Sequence, residues 1–486
     1  MQAIQNTVAR AAIALGVGFL WAVGCGGNPK PGFDNATASP TEPAEAGGGG
    51  GPAGFGSSEA GAGDGATTAC VNLQCQQQTC AGGATTTVSG SVYDPAGKNA
   101  LYDVVVYVPN EHLQALTNGA SCDACDALYT GSPIASTLTD SAGKFTLTNV
   151  PVGKDIPLVI QIGKWRREIT IPNVAACVDN PQPDKSLRFP KNQSEGDIPS
   201  IAISTGNADS LECLLRRVGL DASEYGAGAA ATGRIHIFQG GTLLGGLLNG
   251  VAPNTAPAAP QSSSALWDST ANLMKYDVVL LSCEGGETQS MNQQALFDYA
   301  KSGGRVFASH FQYAWLNSGP FGAANLATWS PGANNMGDIN ADIVTTFPKG
   351  LALSQWLGNV GALTAGKLPI SSARHNSDVG PANTASQAWI KADANANPAG
   401  ATEYFTFNTP IGAMPAAQCG RVVFSDLHVG AVSGDYAGAS KQVVPTGCAA
   451  TDLSPQEKAL EFMLFDLSSC VTPDSLPPPP PPGGVK

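Results

Sequence analysis

The segment DVVLLSCEGG, Asp277 to Gly286, decides the fold class of the second half of this chain. It is an apolar run that ends in a cysteine, an acid and two glycines, and a polar segment typical of a helix start follows. A short buried strand that leads into a helix is the unit of a parallel α/β sheet, where functional side chains gather at the carboxyl ends of the strands. The pattern therefore places Cys283 and Glu284 at a strand end and raises the question whether Cys283 is a nucleophile.

Strands and helices alternate on both sides of this segment. Helical spacing is found in ADSLECLLRRVGL, NQQALFDYAKSG and SPQEKALEFMLFDL, and short apolar runs lie between them in IPSIAIST, RIHIF, RVFASH and RVVFSDLH. In the last helix, Ser454 and Glu457 have the spacing of a capping box, with Pro455 at the first helical position. The alternation predicts an α/β doubly wound domain over 200–470, interrupted by an aromatic-rich insertion at about 311–405.

Polar residues follow several of these predicted strands and should meet at one edge of the sheet. They are Thr205-Gly206-Asn207, Gln239-Gly240, Cys283-Glu284, His310, Asp426 and His428. The two histidines with Asp426 could form a metal site or an acid–base pair, and they could equally line a satisfied polar pocket. His375 and Asp378, in an irregular region, could approach the same face.

This domain resembles the class I glutamine amidotransferase-like fold, a flavodoxin-like architecture, and in particular its trehalose-utilisation (ThuA-like) branch. The resemblance rests on Tyr276–Gln312 and Gly420–Gly430. It implies that DVVLLSCEGG matches the oxyanion strand and RVFASHF the nucleophile strand, where His310 stands in place of the nucleophilic cysteine. His428 matches the catalytic histidine. Cys283 thus lies one strand early, and the charge of Glu284 would raise the pKa of its thiol. We name His310, His428, Asp426 and Cys283 as catalytic candidates without assigning catalysis to any.

The insertion after His310 is rich in aromatic residues, glycine and asparagine. Exposed Trp among small polar residues is typical of sugar- and peptide-binding surfaces, whereas Trp in a core is commoner. We take as ligand-binding candidates Asn207, Glu284, Trp315 and Trp329, and a carbohydrate or another envelope polymer as the ligand class.

In the first half of the chain, the sequence pattern predicts a small antiparallel β-sandwich over 85–178, followed by a linker at 179–199. Runs with period-two alternation are separated by the turns DPAG at 94–97 and DSAG at 140–143. The segments VSGSVYDPAGKNALYDVVVYV and TLTDSAGKFTLTNVPVG resemble a carboxypeptidase regulatory-like domain of the prealbumin-like type. That resemblance implies a scaffolding or adhesive module, on which the long loop Pro109–Pro133 is a candidate binding element.

The N-terminus has the pattern of a signal peptide over 1–24: Arg10, a short apolar segment and small residues before Cys25. The last four residues, AVGC, resemble the lipobox of bacterial lipoproteins, which implies lipidation of Cys25. A Gly/Ala/Pro-rich tether at 25–68 and a polyproline tail at 471–486 are predicted to be disordered. We therefore expect a lipid-anchored protein of the cell envelope, at the outer membrane, with the membrane as its partner.

An exported chain meets an oxidising compartment, so its 12 cysteines are first interpreted as disulfides. Ten candidates follow once Cys25 and Cys283 are set aside: Cys70, Cys75 and Cys80 of the Cys-rich segment 69–84, then Cys122, Cys125, Cys177, Cys213, Cys419, Cys448 and Cys470. The CDAC motif, Cys122 and Cys125, is also a weak metal candidate. Cys283 is the expected free thiol.

Composition limits the function. The net charge of −13 and the lack of any basic cluster exclude nucleic acid as a partner. We expect no cofactor. The first hypothesis is a non-catalytic binding or structural lipoprotein of the envelope, and the second is a carbohydrate-active hydrolase or lyase that uses a His/Asp site at the sheet edge.

Overall fold

The computed structural model describes residues 70–122, 125–206, 208–240, 261–288, 291–429, 447–479 and 481, together with short segments at 242–243, 248–249, 254–255 and 443–445. The signal peptide, Cys25, the tether and Asn207 lie outside the described residues, as do 480 and 482–486 of the tail. The described residues belong to one compact unit.

The first region contains two four-stranded sheets. Its strands are β1 (Thr87–Tyr93), β2 (Val105–Pro109), β3 (Pro133–Leu138), β4 (Lys144–Thr148), β5 (Gly153–Ile162), β6 (Trp165–Val174), β7 (Asp179–Pro181) and β8 (Leu187–Arg188). One sheet has the order β3-β2-β5-β6, and in the other β1 pairs with β4, β7 and β8. Buried residues of both sheets, such as Val106 and Leu147, belong to one apolar cluster, as expected of a β-sandwich.

The first half of the predicted linker at 179–199 is part of this sandwich. β7 and β8 both lie within it and pair in parallel with β1, so the sandwich extends to Arg188. The prediction missed them because three- and two-residue strands are too short to show a period-two pattern.

The second region begins with alternating strands and helices. In chain order these are β9 (Ile201–Ser204), α1 (Leu211–Val218), β10 (Tyr225–Ala227), β11 (Ile235–Phe238), β12 (Thr242–Leu243), β13 (Leu248–Asn249), β14 (Asn254–Thr255), α2 (Ser264–Trp267), α3 (Thr270–Leu273), β15 (Val278–Leu281), α4 (Gln293–Lys301) and β16 (Arg305–Ser309). A 3-10 helix, His310–Trp315, follows β16 directly.

The remaining elements are α5 (Gly319–Gly322), β17 (Thr328–Trp329), β18 (Asn335–Ile343), α6 (Pro348–Asn359), β19 (Leu368–Arg374), β20 (Ser377–Asp378), β21 (Ser386–Ala392), β22 (Thr402–Thr409), β23 (Gly420–Ser425), β24 (Val443–Val444) and α7 (Pro455–Ser468). The predicted cap of α7 is confirmed, because the Ser454 side chain and the Glu457 backbone and side chain form a capping box. None of the described helices is long and apolar enough to span a membrane.

One ten-stranded sheet organises this region, in the order β10-β11-β9-β15-β16-β23-β22-β21-β18-β19. The pairs from β10 to β23 are parallel, and the pairs from β23 to β19 are antiparallel. Neighbouring residues of a strand, such as Val278 and Val279, belong to different apolar clusters, so the sheet is covered on both faces. Leu215 of α1 lies in the first cluster and Leu296 of α4 in the second.

The aromatic-rich insertion supplies the antiparallel half of this sheet. β18, β19, β21 and β22 all fall within or overlap the predicted range 311–405, and they add to the edge of β23. The aromatic residues of the insertion largely fill the core beside these strands, as Trp356 and Trp389 do.

The sandwich packs directly on the second region. Trp165 of β6 contacts Phe465 of α7, with ring centroids 5.5 Å apart, and the Trp356 indole donates a hydrogen bond to the Ala100 carbonyl. A disulfide between Cys122 and Cys419 links the two regions covalently. The two predicted domains are therefore parts of one packed body.

Disulfides hold nine cysteines of the described residues, as predicted. The bonds are Cys70–Cys75, Cys80–Cys177, Cys122–Cys419 and Cys213–Cys448, and Cys470 is disulfide-bonded as well. Cys283 is the free cysteine of this part of the chain and is buried, also as predicted.

The start of the predicted tail packs on the sheet. Asp474 accepts hydrogen bonds from Arg421 and Thr406, and the Thr472 carbonyl accepts one from Asn408. Arg421 is fully buried, and the carboxylates of Asp466 and Asp474 both pair with it. The predicted start of the tail at 471 is therefore too early. Residues up to Asp474 pack on the sheet, because the buried charge of Arg421 is paired with the Asp474 carboxylate.

Candidate functional site

Three neighbouring parallel strands bring Cys283, His310 and His428 together. Cys283 follows β15, His310 follows β16 and His428 follows β23. Their ligand atoms, the cysteine sulfur and one ring nitrogen of each histidine, all lie within 4.8 Å of one another. All three side chains are buried, at 0%, 2% and 1% exposure. The sequence placed these residues at one edge, and the structure makes them direct neighbours.

The thiol of Cys283 contacts the ring of His310. Cys283 Sγ and His310 Nδ1 are 3.1 Å apart, which is hydrogen-bond distance. Burial, followed by the charge of Asp209, raises the pKa of the Cys283 thiol well above its usual range. Burial, followed by the charge of His428, lowers the pKa of His310 to about 2. The pair is therefore a neutral thiol and a neutral imidazole, and this arrangement holds no activated thiolate.

His310 has a left-handed backbone, with φ of 44°. This conformation is uncommon for a residue with a side chain and marks a sharp turn, here between β16 and the 3-10 helix. The turn sets the imidazole of His310 directly at the carboxyl end of β16.

His428 completes the group from the far side of β16. Its ring meets that of His310 edge to face, with centroids 4.9 Å apart. Burial lowers the pKa of His428 to about 3, and a hydrogen bond with the backbone of Ser372 opposes this shift. The site therefore offers two neutral imidazoles and one thiol, without a net charge of its own.

A buried carboxylate, Asp209, ties the three strand ends together. It accepts hydrogen bonds from the backbone N–H of Cys283 at 3.1 Å, from the backbone N–H of Val429 at 2.7 Å, and from the Ser309 hydroxyl. Each of these groups belongs to Cys283 itself or to the residue next to a histidine of the site. Asp209 thus positions all three side chains.

Asp209 was not among the residues predicted at this edge. The residue lies in the loop between β9 and α1, near Gly206, where a Cβ would come within 2.1 Å of the Cys283 carbonyl oxygen. The predicted edge stopped at Asn207 because polar loop residues carry no periodic pattern. Gly206 and Asp209 were the available signal. Both follow the first strand of the parallel sheet closely, and side chains in that position commonly reach the ends of neighbouring strands.

Asp426 does not belong to this group, although it lies two residues from His428. Its carboxyl accepts a hydrogen bond from the Asn376 backbone at 2.9 Å, and burial raises its pKa to about 8. Glu403 on β22 lies close enough for the two carboxyls to interact, and burial raises its pKa as well. Asp426 and Glu403 therefore form a buried acidic pair beside the histidine site.

Of the predicted ligand-binding residues, Asn207 lies outside the described residues, and Glu284, Trp315 and Trp329 do not form a common exposed surface. Glu284 is buried and accepts hydrogen bonds from Ser204 and Thr288. Trp315 is fully buried, and its indole donates to Gln312, which in turn donates to the Ser282 carbonyl. Trp315 thus fixes the 3-10 helix against the end of β15 rather than facing solvent.

Trp329 is partly exposed and packs edge to face on Phe424, with centroids 5.4 Å apart. The ring of His375 contacts the Asp378 carboxylate at 2.9 Å, so these two residues form a separate pair outside the site. The sulfur of Cys122 is bonded to Cys419, which removes it from the CDAC motif as a metal ligand.

Comparison with known proteins gives no family. No protein-family model and no curated protein matches the chain. Among solved structures, a mutant cohesin–X-dockerin complex from Acetivibrio cellulolyticus aligns with 29% of this chain and 74% of its own, at 17% identity and a TM-score of 0.16. BcpA, the major pilin subunit of Bacillus cereus, aligns with 22% of this chain and 30% of its own, at 13% identity and a TM-score of 0.14. These scores are too low to support an argument about function.

Proposed function

We propose that this chain is an exported, lipid-anchored protein of the bacterial cell envelope with a binding or structural role. In this proposal the sandwich is a carboxypeptidase regulatory-like scaffold, and the second region is an amidotransferase-like domain of the ThuA-like branch that has lost its nucleophile. Support comes from the strand order β11-β9-β15-β16-β23, which is that of flavodoxin-like sheets. The disulfides favour an oxidising compartment.

One observation carries the non-catalytic part of the proposal. The thiol of Cys283 is fully buried, and it faces a neutral His310 that holds the turn where a nucleophile would stand. A cysteine nucleophile needs a thiolate and access to substrate, and both burial and the raised pKa oppose that state. We infer that the residues at this edge of the sheet bind a ligand or stabilise the fold and do not hydrolyse an amide.

The anchoring is tested by expressing the full chain and its Cys25→Ala variant in a bacterial host and separating membrane from soluble fractions. We expect the full chain in the outer-membrane fraction and the variant in the soluble periplasmic fraction, because stable anchoring requires the acyl chains on Cys25. Membrane recovery of the variant at the level of the full chain contradicts the anchor.

A second candidate function is a carbohydrate-active hydrolase or lyase. The buried pair of Asp426 and Glu403 beside two histidines favours it, since carboxyls with raised pKa values act as general acids in such enzymes. A screen of glycoside, ester and glutamine substrates separates the two functions. We expect no turnover. Turnover that His428→Gln or Asp426→Asn lowers by about 10²–10⁴-fold establishes the enzyme instead.

A further inference from the structure

We propose that Cys283, His310 and His428 form a binding site for a single thiophilic d¹⁰ metal ion, Cu(I) or Zn²⁺. The three donors come from three different strand ends and converge in the buried interior, with their ligand atoms within 4.8 Å of one another. In the described part of the chain this is the one group of three or more His, Cys, Asp or Glu residues with such spacing.

The donor set selects the class of ion. One cysteine sulfur and two imidazole nitrogens are soft to borderline ligands, which favour copper and zinc over Mg²⁺, Ca²⁺ and Mn²⁺. No fourth His, Cys, Asp or Glu joins the group among the described residues. Cu(I) is satisfied by three such ligands, and Zn²⁺ would need a water in the fourth position. Both ions are compatible with this set of donors, and measuring which metal the protein takes up distinguishes them.

The distance between Cys283 and His310 fits an ion with little movement, and the His428 donor atom, within 4.8 Å of the other two, moves closer on binding. A metal bound to sulfur and nitrogen at usual lengths holds the two donor atoms about 3.5 Å apart in tetrahedral geometry. Cys283 Sγ and His310 Nδ1 are now 3.1 Å apart. Insertion of the ion between them requires an opening of only a few tenths of an ångström, which rotation of either side chain supplies.

Two further features point to a ligand. The other ring nitrogen of His310, Nε2, makes no hydrogen bond of normal geometry with the described residues, although the side chain is 98% buried. Nε2 is thus poorly satisfied, even though the ring interacts with the backbone of Ala333, and a buried polar atom in this state has a cost that a bound ion and the resulting ring shift can remove. Asp209 also fixes the backbone at all three strand ends, and such outer supports commonly orient metal ligands.

The binding step is balanced as follows. Cysteine ligates as the thiolate, so the ion replaces the thiol proton, which leaves for solvent, and one S–H bond is exchanged for one metal–sulfur bond. The two histidines bind through neutral rings and release no proton. No electron is transferred, because Cu(I) and Zn²⁺ enter and stay in the same oxidation state.

The test uses the full chain with its disulfides intact. Because the ligands are buried, the ion is offered during expression, in separate cultures supplied with copper or with zinc, and the metal content of the purified protein is measured. The stripped protein is then titrated with Cu(I) under anaerobic conditions or with Zn²⁺. We expect about one ion per chain in at least one arm, and the arm that loads identifies the ion.

Variants locate the site. Cys283→Ser and His428→Gln should lower the affinity by about a hundredfold or more, beyond the 10–100-fold typical of a lost outer support. His375→Gln is the matched control, since His375 pairs with Asp378 and is not one of the three donors, so its loss should leave the affinity unchanged. Equal loading of Cys283→Ser and the parent chain overturns the proposal.

A measurement on the parent chain covers the case in which a variant does not fold. Co²⁺ substitutes for zinc in such sites and gives a strong thiolate-to-metal absorption band when cysteine is a ligand. We expect this band from the parent chain in the Co²⁺ arm when the site takes Zn²⁺, and a thiolate-to-copper ultraviolet absorption band on anaerobic titration of the folded chain with Cu(I) when it takes copper. Absence of both signals, with no stoichiometric metal, rejects the site. The result is independent of anchoring, because metal content does not depend on Cys25.

Discussion

Cys283 Sγ lies 3.1 Å from His310 Nδ1 in a closed interior, and the two groups share a hydrogen bond between neutral partners. The same pair of residue types, when exposed and ionised, is a common catalytic arrangement. What differs here is access and charge, because burial raises the pKa of the thiol and lowers that of the imidazole.

The Cys283 thiol should therefore be unreactive in the folded protein. Without metal or reductant, iodoacetamide should modify about one thiol per chain in denaturant, and in native buffer the same modification should be about a thousandfold slower or more, since it requires opening of the core. Mass spectrometry of timed samples measures both rates. Native labelling at the rate of an exposed cysteine contradicts a buried thiol.

Asp209 should contribute more to stability than its position in a polar loop suggests. Asp209→Asn keeps one acceptor oxygen and replaces the other with a donor, which leaves a buried N–H or hydroxyl without a partner. We expect a loss of about 1–3 kcal/mol in unfolding free energy, measured by urea denaturation. Asp298→Asn, on the exposed side of α4 where Asp298 contacts Gln294, should change stability by less than about 0.5 kcal/mol.

The left-handed backbone of His310 predicts which substitutions are tolerated. His310→Asn should stay within about 1–2 kcal/mol of the parent in unfolding free energy, because Asn adopts positive φ readily. His310→Val should destabilise by more, since a β-branched residue is strained at this φ. Equal stability of the two variants indicates that the turn relaxes.

Glu212 on α1 gives a prediction for pH. Burial raises its pKa from 4.5 to about 8, so the folded state holds a proton that the unfolded state has lost. Its contribution to stability is present in full below about pH 4.5 and is lost as the pH rises through about 8, by up to about 1.4 kcal/mol per pH unit.

Glu212→Gln cannot ionise, so its stability relative to the parent should increase from pH 5 to pH 9. Urea unfolding of both chains at each pH measures this difference. Glu111→Gln, at an exposed site on the sandwich, serves as control and should track the parent. A difference between Glu212→Gln and the parent that does not vary with pH contradicts a protonated Glu212.

The disulfides should contribute differently to the unfolding free energy, according to the number of residues between the two cysteines. Cys122–Cys419 spans 297 residues and Cys70–Cys75 spans 5. Replacing both cysteines of the long bridge by Ser should lower the unfolding free energy by about 3–5 kcal/mol, against about 2 kcal/mol or less for the short one. Calorimetry of the two double variants compares them, and a larger loss for the short bridge contradicts this account.

The sequence predicted the elements whose patterns are local. Alternation of apolar runs and helices located β15, α4 and β16, and the spacing of Ser454 and Glu457 located the start of α7. The oxidation of the cysteines and the free state of Cys283 also followed, since twelve cysteines without Cys25 leave an odd number and Cys283 lies at the end of a buried strand.

The rest depends on pairings that no local pattern encodes. β7 and β8 are too short to show a period, and their partner β1 lies about ninety residues earlier. The insertion was expected to expose Trp315, but the 3-10 helix turns its indole inward to Gln312. Asp209 contacts residues from three strands, and only the assembled sheet makes those contacts visible.

The three hydrogen bonds of Asp209 also set the order in which this protein can mature. They join positions 74, 100 and 220 residues apart, and the last reaches Val429 after the whole antiparallel half of the sheet. Contacts of such long range form slowly, and the bond to Val429 cannot form on a nascent chain that ends before this residue. The site is therefore completed late in folding, after β23 has been made. A stop codon between Arg188 and His428 removes His428 and the Val429 bond while leaving the sandwich strands β1 to β8 encoded intact.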